Sequence, residues 1–232
     1  GISLLLLVSC SQQSGIENTP SPDLLGYVNP FIGTSNFGAT NPGALAPRGM
    51  INVSPFNVSG AQNSFEKDSR WLSTPYVYEN TFLTGFSHVN LSGVGCPDLG
   101  VIITMPTTGA LVTDPRKYGS TYSNEAAKAG YYSSSLNKYD VKVEATATTR
   151  TGVSNYFFPK GKSNILINLG LGLTNEQGGS LKVVSSTEIE GIRHVGSFCY
   201  YKAEESYPLY FVAKFSKPSN EFGIWENSAK QK

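Results

Sequence analysis

The chain of 232 residues has little charge and little histidine. Charged residues make up 15% of it, and its formal net charge is +1. A nucleic-acid partner would need a basic face, so this composition argues against one. The two histidines, His88 and His194, lie far apart and lack the spacing of zinc ligands. The sequence therefore suggests neither a nucleic-acid-binding protein nor a zinc site.

Cysteine is also scarce, with three residues in all: Cys10, Cys96 and Cys199. In an exported protein Cys96 and Cys199 could pair, although a sequence cannot show whether their Cα atoms come close enough. Cys96 falls in a glycine-rich segment and Cys199 in a predicted strand. We therefore expect two separate thiols.

Glycine, proline and tyrosine are abundant, with 24, 13 and 13 residues respectively. This composition favours strands and turns over helices. The hydrophobic fraction of 39% is enough for a core and argues against disorder. We predict an all-β protein, an antiparallel β-sandwich with few short helices.

Several segments carry the strand signal. Apolar residues alternate with polar ones over Val141–Ala147, which is typical of a strand with one buried face. Further strands are predicted at 27–34, 50–53, 99–105, 151–158, 165–169, 181–185, 197–201 and 209–215. A short helix is predicted at 124–128, with Asn124 as its cap and Gly130 at its end. His194 is expected in a turn.

The first ten residues are predicted to be the remnant of a lipoprotein signal. The apolar run 2–8 is too short to span a membrane, and the sequence LVSC at 7–10 resembles the bacterial lipoprotein cleavage box. In that class Cys10 carries the lipid; an ordinary secretory signal or a buried strand are the alternatives. Residues 11–26 are predicted to be a flexible tether. We expect an exported lipoprotein in the periplasm or on the outer-membrane surface.

The segment GFSHVNLSGVGCPDLG at 85–100 is the most informative part of the chain. It follows neither the helical nor the strand period, and it leads into an apolar β-forming run. Gly93, Gly95 and Gly100 allow backbone conformations and close approaches that other residues do not. We predict a tight polar loop at the end of a sheet strand, where functional residues concentrate.

Seven segments together resemble one family. They are VNPFIGT (28–34), NPGALAPRGMINVSP (41–55), GFSHVNLSGVGCPDLGVIITMPTTG (85–109), KAGYYSSSL (128–136), VEATATTRTGVSNYFFP (143–159), NILINLGLGL (164–173) and YPLYFVAKFSKP (207–218). Their order and spacing resemble the N-terminal domain of glycoside hydrolase family 92, the bacterial exo-acting α-mannosidases. The resemblance assigns 27–232 to that domain.

The resemblance implies a β-sandwich of the galactose-mutarotase-like supersandwich type, joined to a larger (α/α)-barrel domain. It implies calcium-dependent, inverting release of mannose from glycans, here expected to be of the α-1,2 type. It further implies an active site between the two domains, with the catalytic carboxylates and most calcium ligands in the helical one. The sandwich would supply loops to the sugar pocket.

The distribution of acidic residues indicates that the catalytic carboxyls lie outside this chain. Inverting hydrolysis needs two carboxyls about 6.5–9.5 Å apart, and the acidic residues here are scattered, with no motif suggesting such a pair. The chain also begins with glycine and ends without a clear stop, so we expect a fragment. We assign no catalytic residue and no metal ligand, and we expect the segment alone to be inactive.

Three residues of the first motif and one tryptophan are candidate sugar contacts. Phe31, Gly33 and Thr34 precede a long glycine- and proline-rich loop, which we expect to reach the cleft; Phe31 is equally suited to a core. Trp71 lies between loops and could stack on a sugar ring, whereas core packing is its alternative role.

The glycine-rich segment supplies the other candidates. His88 could bind a sugar hydroxyl or bond to backbone within the loop. The amides around Gly93 and Gly95 could donate to a hydroxyl. Cys96 could line the pocket or be a small buried hydrophobe, and Asp98 could accept from hydroxyls or cap the local backbone.

Two further functions are open from the sequence. The chain could be a non-catalytic carbohydrate-binding or adhesive lipoprotein, which should bind mannose unaided, or a purely structural lipoprotein. If it is the mannosidase domain, the face that meets the helical domain should expose a large apolar patch.

Overall fold

The structure is a computed structural model that describes residues 23–35, 38–58, 73–173, 178–196, 206–226 and 229–231. One 3-10 helix spans Leu24–Tyr27 and one short helix, α1, spans Pro115–Tyr118. The strands are β1 Ala44–Leu45, β2 Asn52–Pro55, β3 Phe82–Leu83, β4 Phe86–Ser87, β5 Val89–Asn90, β6 Leu99–Val101, β7 Ile103–Thr108, β8 Ser120–Lys128, β9 Tyr131–Leu136, β10 Val141–Ala147, β11 Gly152–Phe157, β12 Ser163–Asn168, β13 Gly179–Ser185, β14 Glu188–Gly196, β15 Ser206–Lys214, β16 Trp225–Glu226 and β17 Ala229–Lys230.

Two antiparallel five-stranded sheets form the body of the fold. One has the strand order β1-β2-β4-β7-β12 and the other β11-β10-β9-β8-β3. A single cluster of buried side chains joins their facing surfaces, including Val53 and Phe86 from the first sheet and Tyr132 and Val143 from the second. Two sheets that share one core form a β-sandwich, so the predicted all-β antiparallel class is confirmed.

A third sheet, β13-β14-β15, lies beside the sandwich. Val195 of β14 packs with Val89, Val101 and Ile102 in a small core of its own. Strands β5 and β6, which flank the glycine-rich loop, thereby contact this sheet. The strands at both ends of the glycine-rich loop are therefore held by this packing.

The alternation over Val141–Ala147 is confirmed as β10, where Val141, Val143 and Ala145 are buried. β10 pairs with β9 and β11 in unbroken antiparallel register. The predicted strands around 50–53, 151–158, 165–169, 181–185 and 209–215 are also strands, each within a few residues of the expected bounds. The predicted strand at 197–201 lies outside the described residues.

Three expectations about local structure are wrong. Residues 124–128 are part of strand β8 and not a helix. Residues 27–34 form the end of the 3-10 helix and a series of turns in place of a strand. His194 lies within β14 and not in a turn. Tertiary pairing overrides local helix propensity in the first case, because β8 hydrogen-bonds to β9.

The glycine-rich segment is only partly a loop. Its first residues form β4 and β5, and its last residues begin β6, so the loop is confined to 91–98. The predicted strand 99–105 is divided at Ile102, whose φ of 56° breaks the extended chain between β6 and β7. Within the described residues, no helix has the length and apolar character to cross a membrane.

Candidate functional site

Three loops are hydrogen-bonded to one another, and we call residues 29–35 with 38–43, 73–80 and 91–98 the rim loops. The amide of Gly93 donates to the carbonyl of Ala39 at 2.6 Å. Ser73 Oγ donates to the carbonyl of Gly93 at 2.9 Å, and Thr74 Oγ1 donates to the carbonyl of Thr40 at 3.2 Å. Each rim loop is therefore bonded to a neighbouring one. That the turn at Phe31, Gly33 and Thr34 reaches the same cleft as the glycine-rich loop stays a prediction.

The first rim loop is a compact turn around Gly33. Thr34 is buried, and its Oγ1 donates to the carbonyl of Phe31 at 2.8 Å. Gly33 has φ of +83°, and a Cβ there would lie 2.9 Å from Thr40 Oγ1. Glycine is required at this position by both backbone angle and space. Gly33 and Thr34 thus shape the turn, and Phe31 projects from it.

Phe31 faces a cavity between the first two rim loops and β8. Its ring meets that of Tyr78 edge to face, with centroids 5.9 Å apart. The cavity, which we call the rim cavity, has a volume of about 390 Å³ and is lined by Asn29, Phe31, Ile32, Ser35, Tyr78 and Glu125. This volume lies at the small end of the range for ligand pockets, about 300–1,000 Å³.

Glu125 reaches the rim cavity because β8 contains a β-bulge. The pairing of β8 with β9 shifts register between Ser123 and Ala126, and Ser123 and Asn124 are both exposed in succession. Asn124 takes a left-handed φ of 52°, which asparagine tolerates better than most residues. The extra residue turns Glu125 to the same side as Tyr122.

Two tyrosines hold the Glu125 carboxylate. Tyr76 Oη donates to Oε2 at 2.9 Å, and Tyr132 Oη donates to Oε1 at 2.7 Å. Burial raises the pKa of Glu125, and the two tyrosine hydrogen bonds oppose that rise. Burial, together with the nearby carboxylate, also raises the pKa of Tyr76 and Tyr132. The tyrosines therefore remain neutral donors at any physiological pH.

The glycine-rich loop uses its polar groups largely within the protein. Gly93 has φ of +103°, and its amide is bonded to Ala39. The hypothesis that this amide donates to a sugar is therefore wrong for Gly93. Gly95 is half-buried, beside Val94, which is 89% exposed. The tip of this loop is thus the part that a ligand can reach.

His88 is bonded to backbone. Its Nδ1 lies 2.7 Å from the carbonyl oxygen of Ile102, and its ring packs close to Gly152. Burial lowers the pKa of His88, and its backbone hydrogen bonds oppose that change. Of the two sequence-based readings, the structure supports the backbone-bonded one.

Asp98 interacts with the third sheet and does not line the rim cavity. Asp98 is 3% exposed, and its Oδ1 accepts from the amide of Leu99 at 2.7 Å. Burial raises the pKa of Asp98, while hydrogen bonds from Leu99 and Gly196 and the charge of Arg193 oppose it. Asp98 thus caps the local backbone. Cys96 is disulfide-bonded, so the expectation of separate thiols is wrong for this residue.

Two candidates lie outside the described residues: Trp71, proposed as a stacking platform, and Cys10, proposed as the lipidation site. Their assignments stay predictions. Among the described residues, no three His, Cys, Asp or Glu side chains come together in a way that could hold a metal ion. Such a group for the calcium ion that the resemblance implies is therefore not present among the described residues, and the calcium dependence stays a prediction.

Sequence reasoning missed Glu125, Tyr76, Tyr78 and Tyr132. Glu125 was hidden because its segment reads as a helix, and the bulge breaks the alternation that would have revealed it. The tyrosine-rich stretches at 76–78 and 131–132 were the available signal, since a buried tyrosine hydroxyl usually has a partner.

The chain is similar to known proteins. Residues 27–232 match the family model described as the glycosyl hydrolase family 92 N-terminal domain. A curated protein of Arthroderma benhamiae, an uncharacterized secreted glycosidase, is 28% identical over 149 residues. That match covers 59% of this chain and 18% of the relative.

Solved structures are also similar. A family GH92 alpha-mannosidase from Bacteroides thetaiotaomicron is 31% identical with a TM-score of 0.77, and the match covers 89% of this chain. The same enzyme in complex with mannoimidazole gives 32% identity and a TM-score of 0.76. This chain spans 28% and 27% of the lengths of those two chains.

Proposed function

The chain belongs to the glycosyl hydrolase family 92 N-terminal domains, and from that premise we propose that it serves an exo-α-mannosidase. Its part is to supply one wall of the sugar pocket, while a C-terminal helical domain supplies the acid and base carboxyls. The full enzyme would release terminal mannose from glycans with inversion. The substrate wall consists of the rim loops and the rim cavity behind them.

The convergence of the first two rim loops and β8 on one cavity carries this proposal. An aromatic pair, Phe31 and Tyr78, forms one side of the cavity, and polar groups, including Glu125, form the other. Sugar sites combine apolar ring faces with a few placed polar groups. The relative that binds mannoimidazole shares this fold.

The described residues do not hold a catalytic pair around the cavity. Glu125 is the acidic residue among the six that line it, whereas inverting hydrolysis needs two carboxyls with a water between. We therefore assign the acid and base to the C-terminal domain, and we expect this chain alone to hydrolyse no mannoside.

Three finer features belong to the same proposal. The full enzyme is proposed to depend on calcium held mainly by the C-terminal domain, and to prefer α-1,2 linkages. It is also proposed to be exported and anchored through Cys10. Export agrees with the secreted relative in Arthroderma benhamiae and with the disulfide at Cys96, since disulfides persist in oxidising compartments.

The test is to express the full gene product that contains this chain and to incubate it with α-1,2-, α-1,3- and α-1,6-mannobiose. Proton NMR of the freshly released sugar identifies the anomer. We expect β-mannose from the α-1,2 disaccharide, and loss of the activity after chelation that added calcium restores. The 232-residue chain alone is the matched control and should release nothing.

Inversion, calcium dependence and the enzymatic function itself have separate contrary outcomes. Release of α-mannose would contradict inversion, and retained activity in chelator would contradict calcium dependence. No mannose release by the full product would contradict the enzymatic function. Tight mannose binding by the isolated chain would favour the carbohydrate-binding alternative.

A further inference from the structure

The carboxylate of Glu125, which lines the rim cavity, accepts fewer hydrogen bonds than it could. Each of its oxygens accepts one tyrosine hydroxyl, whereas an ionised carboxylate offers about four lone-pair sites. The side chain lines the cavity wall while it is held from behind by Tyr76 and Tyr132. Acceptor sites therefore remain on a carboxylate that lines the cavity and is held by two tyrosines.

Among the described residues, no lysine or arginine forms an ion pair with this carboxylate. The ion pairs found in the described part of the chain join Asp114, Glu144, Glu188, Glu190 and Glu221 to lysines, and Glu125 is not among them. A buried carboxyl gains from further hydrogen-bond donors, because each one offsets part of its desolvation. A ligand that brings hydroxyl donors to this carboxylate would therefore supply part of what burial removes.

The remaining cavity wall indicates which donors fit. Asn29 and Ser35 are neutral and polar, and Phe31 and Tyr78 give a rigid aromatic corner. A pyranose ring offers an apolar C–H face and adjacent hydroxyl donors, which match the aromatic corner and the two carboxylate oxygens respectively. Resting on the function proposed above, we propose that Glu125 is a substrate-binding residue that accepts hydrogen bonds from two neighbouring hydroxyls of the bound mannose.

The variant Glu125→Gln tests this in the full gene product. Glutamine keeps the shape of glutamate but replaces one acceptor oxygen by a donor, so one hydroxyl loses its partner. Because hydrogen bonds to charged groups are stronger than those between neutral groups, we expect KM for the disaccharide, and Ki for methyl α-D-mannopyranoside, to rise at least about tenfold. The ratio of Ki for the mannoside to Ki for its C2 epimer, the glucoside, is measured alongside, and kcat should change much less.

Two further variants make the result specific. Glu144→Gln is the matched control, because Glu144 pairs with Lys142 on β10 and does not line the cavity; it should leave Ki unchanged. Tyr132→Phe removes one of the hydroxyls that orient Glu125 and should raise Ki by a smaller factor. Melting temperatures of all variants are compared with that of the parent protein.

The outcomes separate the two proposals. An active parent enzyme whose Ki is unchanged in Glu125→Gln overturns the role of Glu125 and leaves the mannosidase function standing. An inactive parent protein overturns both. A lowered kcat and melting temperature with an unchanged Ki would show that Glu125 has a structural role, which also overturns the sugar contact.

Discussion

At the scale of single residues, the first motif is explained by backbone geometry. Gly33 is in a left-handed conformation with Thr40 directly beside it, so Gly33→Ala should lower the free energy of unfolding by about 1–2 kcal/mol. Urea denaturation of the 232-residue chain measures this change. The turn that carries Phe31 would shift with it.

Gly170→Ala is the matched control for that variant. Gly170 is exposed and lacks a positive φ, and an added Cβ would meet Asn168 Oδ1 at an ordinary 3.5 Å. We expect a change within about 0.5 kcal/mol. Equal effects at Gly33 and Gly170 would contradict the assignment of strain to the rim turn.

Glu125 should make folding stability depend on pH in an unusual direction. Burial raises the pKa of Glu125 above its ordinary value of 4.5, so the folded chain holds this proton more tightly than the unfolded chain. The free energy of unfolding contributed by this group therefore falls as pH rises from below 4.5 through the raised pKa. Glu125→Gln should be more stable relative to the parent chain at about pH 7 than at about pH 4.

Glu144→Gln gives the opposite sign in the same experiment. The hydrogen bond from Lys142 lowers the pKa of Glu144 below its ordinary value of 4.5. Ionised Glu144 therefore stabilises the folded chain above about pH 4.5, and this stabilisation is lost as the pH falls through the lowered pKa. Urea denaturation at both pH values compares the two variants. The same direction of change in both would contradict the assigned environment of Glu125.

The residue-level predictions differed in success for a physical reason. Gly33 was found from sequence because few residues tolerate its backbone angle. Asp98 and His88 carry polar groups that suit a ligand or a backbone partner equally well, and neighbours distant in sequence decide between them. The disulfide at Cys96 depends on such distant geometry as well.

At the scale of elements, β8 shows how an irregular strand creates a site. Its bulge places Glu125 and Tyr122 on one side of the sheet and depends on the left-handed Asn124. Asn124→Val should lower the free energy of unfolding by about 1–2 kcal/mol, because a β-branched residue is strained at that φ. Asn124→Gly, the matched variant, should be neutral or slightly stabilising.

Tyrosine absorbance provides a second measurement for these two variants. If the bulge is retained in Asn124→Gly, the hydroxyls of Tyr76 and Tyr132 stay bonded to Glu125 and resist ionisation at high pH. In Asn124→Val a larger number of tyrosines should titrate near the ordinary value of about 10. Identical stability and titration in both variants would show that the bulge does not depend on residue 124.

The elements that sequence predicted well are those with uninterrupted pairing. β10 lies in the middle of its sheet, and its strict alternation follows from one buried and one open face. In β8 the bulge interrupts the same rule, and in β14 the glycines at 191 and 196 imitate a turn. At 191 glycine is needed because the Phe211 ring covers that backbone.

At the scale of the whole molecule, several exposed apolar side chains lie on the third sheet. Tyr210 and Val212 of β15 are 70% and 56% exposed, and they lie on the third sheet beside a cavity that also involves Ile192. Phe222 and Ile224 are exposed as well. Tyr210 and Val212 lie two residues apart on one face of β15, and exposed apolar side chains grouped in this way mark a contact surface in soluble proteins.

The last prediction follows from those two side chains. The 232-residue chain in isolation should self-associate with rising concentration, and the double variant Tyr210→Lys with Val212→Lys should suppress this. Both side chains are already exposed, so the melting temperature should change little. Val94→Lys is the matched control, because Val94 is 89% exposed but lies on the rim loop 91–98 and not on the third sheet. Sedimentation velocity at several concentrations measures the effect; equal association in both variants would contradict the third sheet as the contact surface.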